Sequence, residues 1–173
     1  MKKILTLICI SISISVSSQD PFQKEAIGFL SFTKGKIDQL ANAIPEEKYS
    51  WAPADSVRSF SGVIAHTITS NYFLGLKLGG ELPQGVNPMT IEKEITEKAD
   101  LLEALTVSHN FIVTSISNLK TENLSDRVEL PFPGEYTKMT VVNVLISHAS
   151  EHLGQLIAYA RTNGIAPPWS VEQ

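Results

Sequence analysis

The sequence of residues 91–119 decides the fold class of this chain. It reads IEKEITEKADLLEALTVSHNFIVTSISNL. Residues three and four apart form one stripe along it, which consists of Ile91, Ile95, Lys98, Leu102, Leu105, His109, Ile112, Ile116 and Leu119. That spacing follows one side of an α-helix and is typical of the seam of a helix bundle. We therefore predict one long helix that begins after an N-cap at Thr90 and continues to about residue 119.

Three further segments combine the helical period with helix boundary signals. The first follows an Asp-Pro pair, in which Asp20 is predicted to cap the helix. Glycine follows the other two, at Gly79 and at Gly164, where a left-handed residue can end a helix. These predicted helices cover residues 20–43, from Ser59 or Ser61 to 79, and from about 140 to 162.

The connections between the four predicted helices are long. Each exceeds the two to eight residues or so that usually join antiparallel neighbours in a bundle. We therefore predict an all-α four-helix bundle in which at least one connection crosses from end to end. No strand pattern competes strongly with this interpretation, although residues 126–131 could be briefly extended.

Composition limits the class of protein further. The 173 residues are 43% hydrophobic and 18% charged, which excludes a disordered, collagen-like or multipass membrane protein and indicates one domain. The net charge is −4, and no run of Lys or Arg follows the first three residues. Because phosphate backbones are bound by basic surfaces, no nucleic-acid partner is expected.

Residues 1–18 have the layout of a secretory signal peptide. They read MKKILTLICISISISVSS: two lysines, an apolar stretch from Ile4 to Val16, and two small residues. The apolar stretch is shorter than the roughly 20 residues that span a bilayer. We predict cleavage after Ser18, a mature domain over 19–173 without the only cysteine, Cys9, and a periplasmic or secreted location without membrane contact.

Histidines on two predicted helices are the main candidates for chemistry. His148 and His152 are four residues apart on the last helix, so their side chains share one face at about 5 to 6 Å and can bind one metal ion. The alternative is that they form only the polar edge of an amphipathic helix. His66, on the apolar stripe of the second helix, is a third candidate ligand.

The segment HASEH, residues 148–152, also matches the H-x-x-E-H pattern of a class of zinc peptidases. That class takes a further acidic ligand from a helix far downstream. Here Glu172 is the only carboxylate side chain after His152, so we reject the peptidase interpretation. Glu151 is about 100° from His152 around the helix and is expected to flank the site.

Five segments together resemble one known family. They are VIAH at 63–66, HASEHLGQ at 148–155, PEEKYS at 45–50, RSF at 58–60 and AYARTNGIAPP at 158–168. The chain thereby resembles the DinB-like (YfiT-type) superfamily of metal-binding four-helix bundles. The resemblance implies an up-down-down-up bundle with a divalent ion held by His66, His148 and His152. It also implies relatives that transfer or isomerise groups with a low-molecular-weight thiol, beside members with no known reaction.

Three neutral imidazoles would leave a divalent ion, zinc or nickel, with an open position for water or substrate. Gln155 is a candidate catalytic residue that would hydrogen-bond a metal-bound water, or it joins two helices. His109 is a second catalytic candidate, as acid, base or further ligand, or it is a core histidine. Arg58 would bind an anionic substrate, or it makes a salt bridge or a cap contact.

We expect an exported, metal-dependent hydrolase or transferase that acts on a small molecule. The alternative is a non-catalytic binding or stress-associated bundle in which the ion is structural or vestigial. Homodimerisation is left open by the sequence.

Overall fold

The computed structural model describes residues 20–170, so the predicted signal peptide lies outside the described residues. No helix within 20–170 is both long and apolar enough to cross a membrane. Three single-turn 3₁₀ helices, at Glu46–Lys48, Thr121–Asn123 and Pro168–Ser170, lie in the connections and after the last helix. The α-helices are α1 (Pro21–Ala43), α2 (Phe60–Lys77), α3 (Ile91–Glu94), α4 (Lys98–Ser117) and α5 (Lys138–Thr162).

Four long helices pack as a bundle, which confirms the predicted fold class. Around the bundle the order is α1, α5, α2, α4, so that α1 and α2 lie on opposite corners. The core consists of apolar side chains from all four helices, among them Leu30, Leu40, Ile64, Ile68, Leu101, Ile112, Leu145 and Leu156, each at most 2% exposed.

Contacts at the two ends of the bundle show that α1 and α4 are antiparallel. Gln23 at the start of α1 donates from Nε2 to the carbonyl oxygen of Leu119, just after α4, at 2.9 Å. Lys98 at the start of α4 donates from Nζ to the carbonyl oxygen of Ile44, just after α1, at 2.7 Å.

Helices α2 and α4, by contrast, run in the same direction. Asn71 donates from Nδ2 to the Ser108 hydroxyl at 3.1 Å, and one turn later on both helices Gly75 lies against Phe111. The long connection over residues 78–97 makes this parallel pairing possible.

Helix α5 is antiparallel to α2, because His148 lies beside His66 in α2 whereas Tyr159, later on α5, donates to the carbonyl oxygen of Arg58 just before α2. The order is therefore up-down-down-up.

The prediction of one helix over 90–119 is wrong. Helix α3 ends at Glu94, because the next residue, Ile95, is extended with φ of −105° and ψ of 104°, and α4 begins only after Glu97. Neither proline nor glycine causes the break, since residues 94–98 contain none. Tertiary contacts instead fix the chain on both sides of the break. Before it, Ile91 is buried at 6% exposure, and after it, Lys98 donates to main-chain carbonyls at the end of α1.

Two predicted helix caps are also wrong. The Asp20 carboxylate occupies the N-cap position but accepts hydrogen bonds from the backbone N–H and hydroxyl of Thr121 rather than from its own helix. The Thr90 hydroxyl donates to the carbonyl of Asn87. In both cases a tertiary or loop partner replaces the local one.

Other helix ends follow the sequence. The Ser59 hydroxyl accepts from the backbone N–H of Gly62 at 3.1 Å, so Ser59 is the cap of α2. Gly79 and Gly164 have φ of 95° and 73°, the left-handed conformation expected where a helix ends.

A short β-hairpin precedes α5. Strand β1 (Arg127–Val128) pairs antiparallel with β2 (Tyr136–Thr137), so part of the segment expected to be extended is a strand. Thr137 then forms a reciprocal capping box with Thr140, which fixes the start of α5 two residues before the predicted position. The hairpin thereby sets where α5 enters the bundle.

Candidate metal centre

Three histidines meet where α2 and α5 cross. His148 and His152 lie one turn apart on α5, with their Nε2 atoms 3.0 Å apart. The Nε2 atom of His66, on α2, is 3.3 Å from that of His148. All three candidate ligand atoms lie within 4.8 Å of one another. Imidazole nitrogens about 2.0 to 2.1 Å from a tetrahedral ion are roughly 3.3 Å apart, so the two separations that involve His148 match those around one divalent ion.

The outer ring nitrogens of two of these histidines have oxygen partners. His66 Nδ1 is 2.9 Å from Oε1 of Glu92, and His152 Nδ1 is 2.9 Å from Oε1 of Gln155. Both oxygens are acceptors, so we assign the ring proton to Nδ1 in each case. The Nε2 lone pair of each ring then faces the cluster, the arrangement of a metal-binding histidine with its outer hydrogen bond.

Glu92 is held in turn by Arg58. The Arg58 Nε–H donates to Oε2 of Glu92 at 3.2 Å, while Oε1 accepts from His66. Burial raises the pKa of Glu92, but the hydrogen bonds from His66 and Arg58 and their charges outweigh it and lower the pKa below its ordinary value. Glu92 is therefore ionised at neutral pH, and of the alternatives for Arg58 the structure shows the salt bridge.

Glu92 was missed by the sequence reasoning. It is one of several acidic residues in a polar stretch, and a continuous helix over 90–119 gives it no special place. Only the single-turn helix α3 brings it to His66. No signal in the sequence alone would have found it.

Gln155 lies behind His152, on the side away from the other two histidines' Nε2 atoms. Its Nε2 donates to the Tyr159 hydroxyl at 2.8 Å, and that hydroxyl donates to the carbonyl oxygen of Arg58 at 3.1 Å. The chain of hydrogen bonds runs from His152 on α5 to the residue before the α2 cap. The structure therefore places Gln155 as a support of His152 and as part of a link between helices.

His109 lies elsewhere in the bundle. Its Nε2 is 3.3 Å from the Ser31 hydroxyl on α1, and it is not one of the three converging histidines. Burial, and then the charge of Lys34, lower the pKa of His109, with the Asp38 carboxylate opposing them in part. Glu151 is exposed and acts on His152 only through its charge.

The surroundings of His148 and His152 keep these two imidazoles neutral. Burial, followed by the positive charges that His152, His66 and Arg58 can carry, lowers the pKa of His148 to about 4. Burial likewise lowers the pKa of His152, although the hydrogen bond with Gln155 opposes this. Because a metal ligand must be deprotonated, both rings are ready to bind an ion at neutral pH.

Comparison with known proteins places this geometry in a family. Residues 30–156 match the sequence profile of the DinB superfamily, a range that includes all three histidines and Glu92. No curated protein sequence is significantly similar to the chain.

Solved structures share the fold at low sequence identity. A DinB-like protein from Bacillus cereus has a TM-score of 0.70 at 14% identity, over 84% of this chain and 95% of its own. A DinB-like protein from Bacillus subtilis has a TM-score of 0.63 at 22% identity, over 81% and 92%. A protein from Enterococcus faecalis has a TM-score of 0.62 at 17% identity, over 80% and 95%. From the family profile and these folds together, the chain belongs to the DinB superfamily.

Proposed function

We propose that the chain is an exported protein with one divalent metal ion at the candidate centre, and that it uses this ion in hydrolysis or group transfer on a small molecule. The convergence of three Nε2 atoms from His66, His148 and His152 carries the proposal. Two of these rings have the outer oxygen partner that sets a metal-binding tautomer. A hydrogen-bonded histidine cluster without an ion would need no such common orientation.

Each residue has a distinct role in this proposal. The three histidines hold the ion, Glu92 orients His66, and Gln155 orients His152. Arg58 holds the Glu92 carboxylate and joins the two supports through its own carbonyl and Tyr159. When bound, such an ion supplies Lewis acidity and a water of lowered pKa. Imidazole ligands suit zinc and nickel, which we propose as the first ions to test.

Tag-free protein should be analysed for bound metal after reconstitution with zinc or nickel. We expect about one equivalent in the wild type and little in His148→Ala, since two imidazoles hold an ion poorly. His109→Ala is the matched control, because it removes a half-buried histidine outside the cluster and should retain the ion. Less than about a tenth of an equivalent in the wild type would contradict the metal site.

One observation favours a second candidate, a non-catalytic bundle with a structural ion. The side chains of Glu92 and Gln155 are both engaged in orienting histidines, so neither is free to act as a general base. A panel of ester, amide and phosphoester substrates distinguishes the two proposals. Metal-dependent turnover that His148→Ala abolishes supports the enzyme, and its absence with a full complement of ion supports the structural role.

A further inference from the structure

A second candidate binding site is a cavity beside α3, separate from the histidine cluster. The cavity, of about 510 Å³, opens among α2, α3, α4 and the connection over residues 81–90. None of the three histidines lines it. Its volume is within the range of roughly 300 to 1,000 Å³ that is typical of pockets for small molecules.

The cavity combines an apolar wall with an acidic rim. Apolar side chains of α2, α3 and α4 form the wall, namely Tyr72, Ile91, Ile95, Ala104 and Val107. Three carboxylates also line it, those of Glu94, Asp100 and Glu103, and no lysine or arginine does. Within residues 20–170 these carboxylates have no ion pair and no side-chain hydrogen bond. A low-dielectric wall beside unpaired negative charges concentrates a potential that attracts cations.

Tyr72 provides an independent indication of a ligand. Only 2% of it is exposed, it lines the cavity, and its ring packs against Phe111 with centroids 5.3 Å apart. Its hydroxyl makes no hydrogen bond to the described part of the chain. The hydroxyl is therefore free to donate or accept a hydrogen bond with a group that enters the cavity.

We propose that this cavity binds a small organic ammonium ion with an apolar body and a second, hydrogen-bonding group. The ammonium pairs with the carboxylates of the rim, the apolar body packs on the wall, and the hydrogen-bonding group reaches the Tyr72 hydroxyl. A fully apolar ligand would leave Tyr72 unpaired, and an anion would be repelled by Glu94, Asp100 and Glu103. The proposal does not depend on the metal centre.

A set of matched probes tests each part of the proposed ligand. The reference probe is 6-aminohexan-1-ol, titrated into metal-free, isotope-labelled protein while backbone amide NMR shifts are followed. Hexane-1,6-diol lacks the charge, 6-hydroxyhexanoate reverses it, and hexylammonium lacks the hydroxyl. For ligands of about eight non-hydrogen atoms, dissociation constants in the millimolar range are expected.

We expect the reference probe to shift the amides of Gly85, Thr90 and Ala104, which line the cavity. It should bind about tenfold more tightly than the diol or the carboxylate, because it meets more than one exposed carboxylate. It should bind about threefold more tightly than hexylammonium, and Tyr72→Phe should remove that difference. Equal binding of the diol, or no shift at these amides up to about 50 mM, would overturn the proposal.

Variants complete the test. The double variant Asp100→Asn, Glu103→Gln should reduce the affinity for the reference probe about tenfold towards that of the diol. Glu25→Gln, Glu129→Gln removes two exposed carboxylates outside the cavity and should leave the affinity unchanged. All of these positions except Tyr72 are exposed, so the melting temperature should stay within a few degrees of the wild type. The same loss of affinity in both double variants would show a general charge effect and contradict the site.

Discussion

Single residues decide whether the histidine cluster is ready for a metal ion. A histidine offers either of two nitrogens, and the partner of the other nitrogen selects between them. Glu92 and Gln155 make that selection for His66 and His152. His148 has no such partner on Nδ1 among the described residues, and burial keeps its ring neutral instead. The residues around the three histidines therefore decide which ring nitrogens are free to bind an ion.

The role of Glu92 predicts a loss of metal affinity on a conservative change. Glu92→Gln removes the ionised acceptor from His66 Nδ1, so zinc affinity should fall about tenfold, as is typical for outer partners of ligands. Competition with a chelating dye measures this. Glu94→Gln, in the same short helix but facing the cavity, is the control and should have no effect. Equal affinities of wild type and Glu92→Gln would show that His66 needs no carboxylate.

The lowered pKa of His148 predicts how stability depends on pH in metal-free protein. The folded ring has a pKa of about 4 and an unfolded ring about 6.5, so the unfolded state binds more protons between these values. The contribution of His148 to stability is therefore complete above about pH 6.5 and is lost as the pH falls towards 4. The half-buried ring makes this only about 1 kcal/mol after solvent screening.

Urea unfolding at pH 7 and pH 5 measures the effect. His148→Gln should lose less stability on acidification than the wild type, since an amide does not titrate in this range. Ionisable groups outside the cluster are shared by the two proteins, so their contributions cancel. The difference then reports the titration of His148 together with its coupling to His66 and His152. The same loss in both proteins would mean that the folded ring has an ordinary pKa.

At the scale of elements, the single-turn helix α3 has two functions. It presents Glu92 to His66 on α2, and it contributes Ile91 and Glu94 to the wall and rim of the cavity. The break between α3 and α4 makes this possible, because a straight helix would carry these residues along the α4 axis. The close packing of α2 on α4 below it also depends on a small residue, Gly75.

Substitution of Gly75 tests how much the packing of α2 on α4 contributes to stability. A Cβ at this position would overlap the ring of Phe111, so Gly75→Ala should destabilise the protein by about 1 to 3 kcal/mol through overpacking. Gly28→Ala on α1 has nothing within 4 Å of the added atom and should instead stabilise by about 0.5 to 1 kcal/mol. Chemical denaturation of both variants measures the difference. Stabilisation by both would mean that Phe111 moves at no cost.

At the scale of the whole molecule, the candidate centre joins two helices that meet only through tertiary packing. His66 is on α2 and the other two ligands are on α5, and the hydrogen bonds of Gln155, Tyr159 and Arg58 link the same pair. An ion bound there would bind the folded state and not the unfolded chain. Binding should therefore stabilise the entire bundle.

Thermal unfolding with and without zinc tests this linkage. At a free zinc concentration about a hundred times the dissociation constant, the free energy of unfolding of the wild type should rise by about 2.7 kcal/mol. For a domain of this size that raises the melting temperature by about 5 °C or more. His148→Ala should show no such shift, whereas His109→Ala should respond as the wild type does. A shift of equal size in His148→Ala would place the ion at another site.

Much of the bundle could be predicted because local rules determine it. Several signals act within a few residues of a helix end: the helical periodicity, the cap at Ser59 and the glycines at 79 and 164. The ends of three of the four long helices therefore lie within two residues of the predicted positions. The spacing of His148 and His152 likewise determines that they share a face.

Other features depend on residues far apart in the chain, and only the tertiary structure decided them. The break after Glu94 depends on Lys98 reaching the end of α1, and the carboxylate of Asp20 turns from its own helix to Thr121. Glu92 and Arg58 meet His66 only because that break and the bundle bring three segments together. The periodic pattern of apolar residues is the same for a continuous helix and for one that is interrupted by a turn. The sequence thus determined three of the four long helices and the histidine pair, whereas long-range contacts determined the break between α3 and α4 and the hydrogen-bond partners that prepare the cluster.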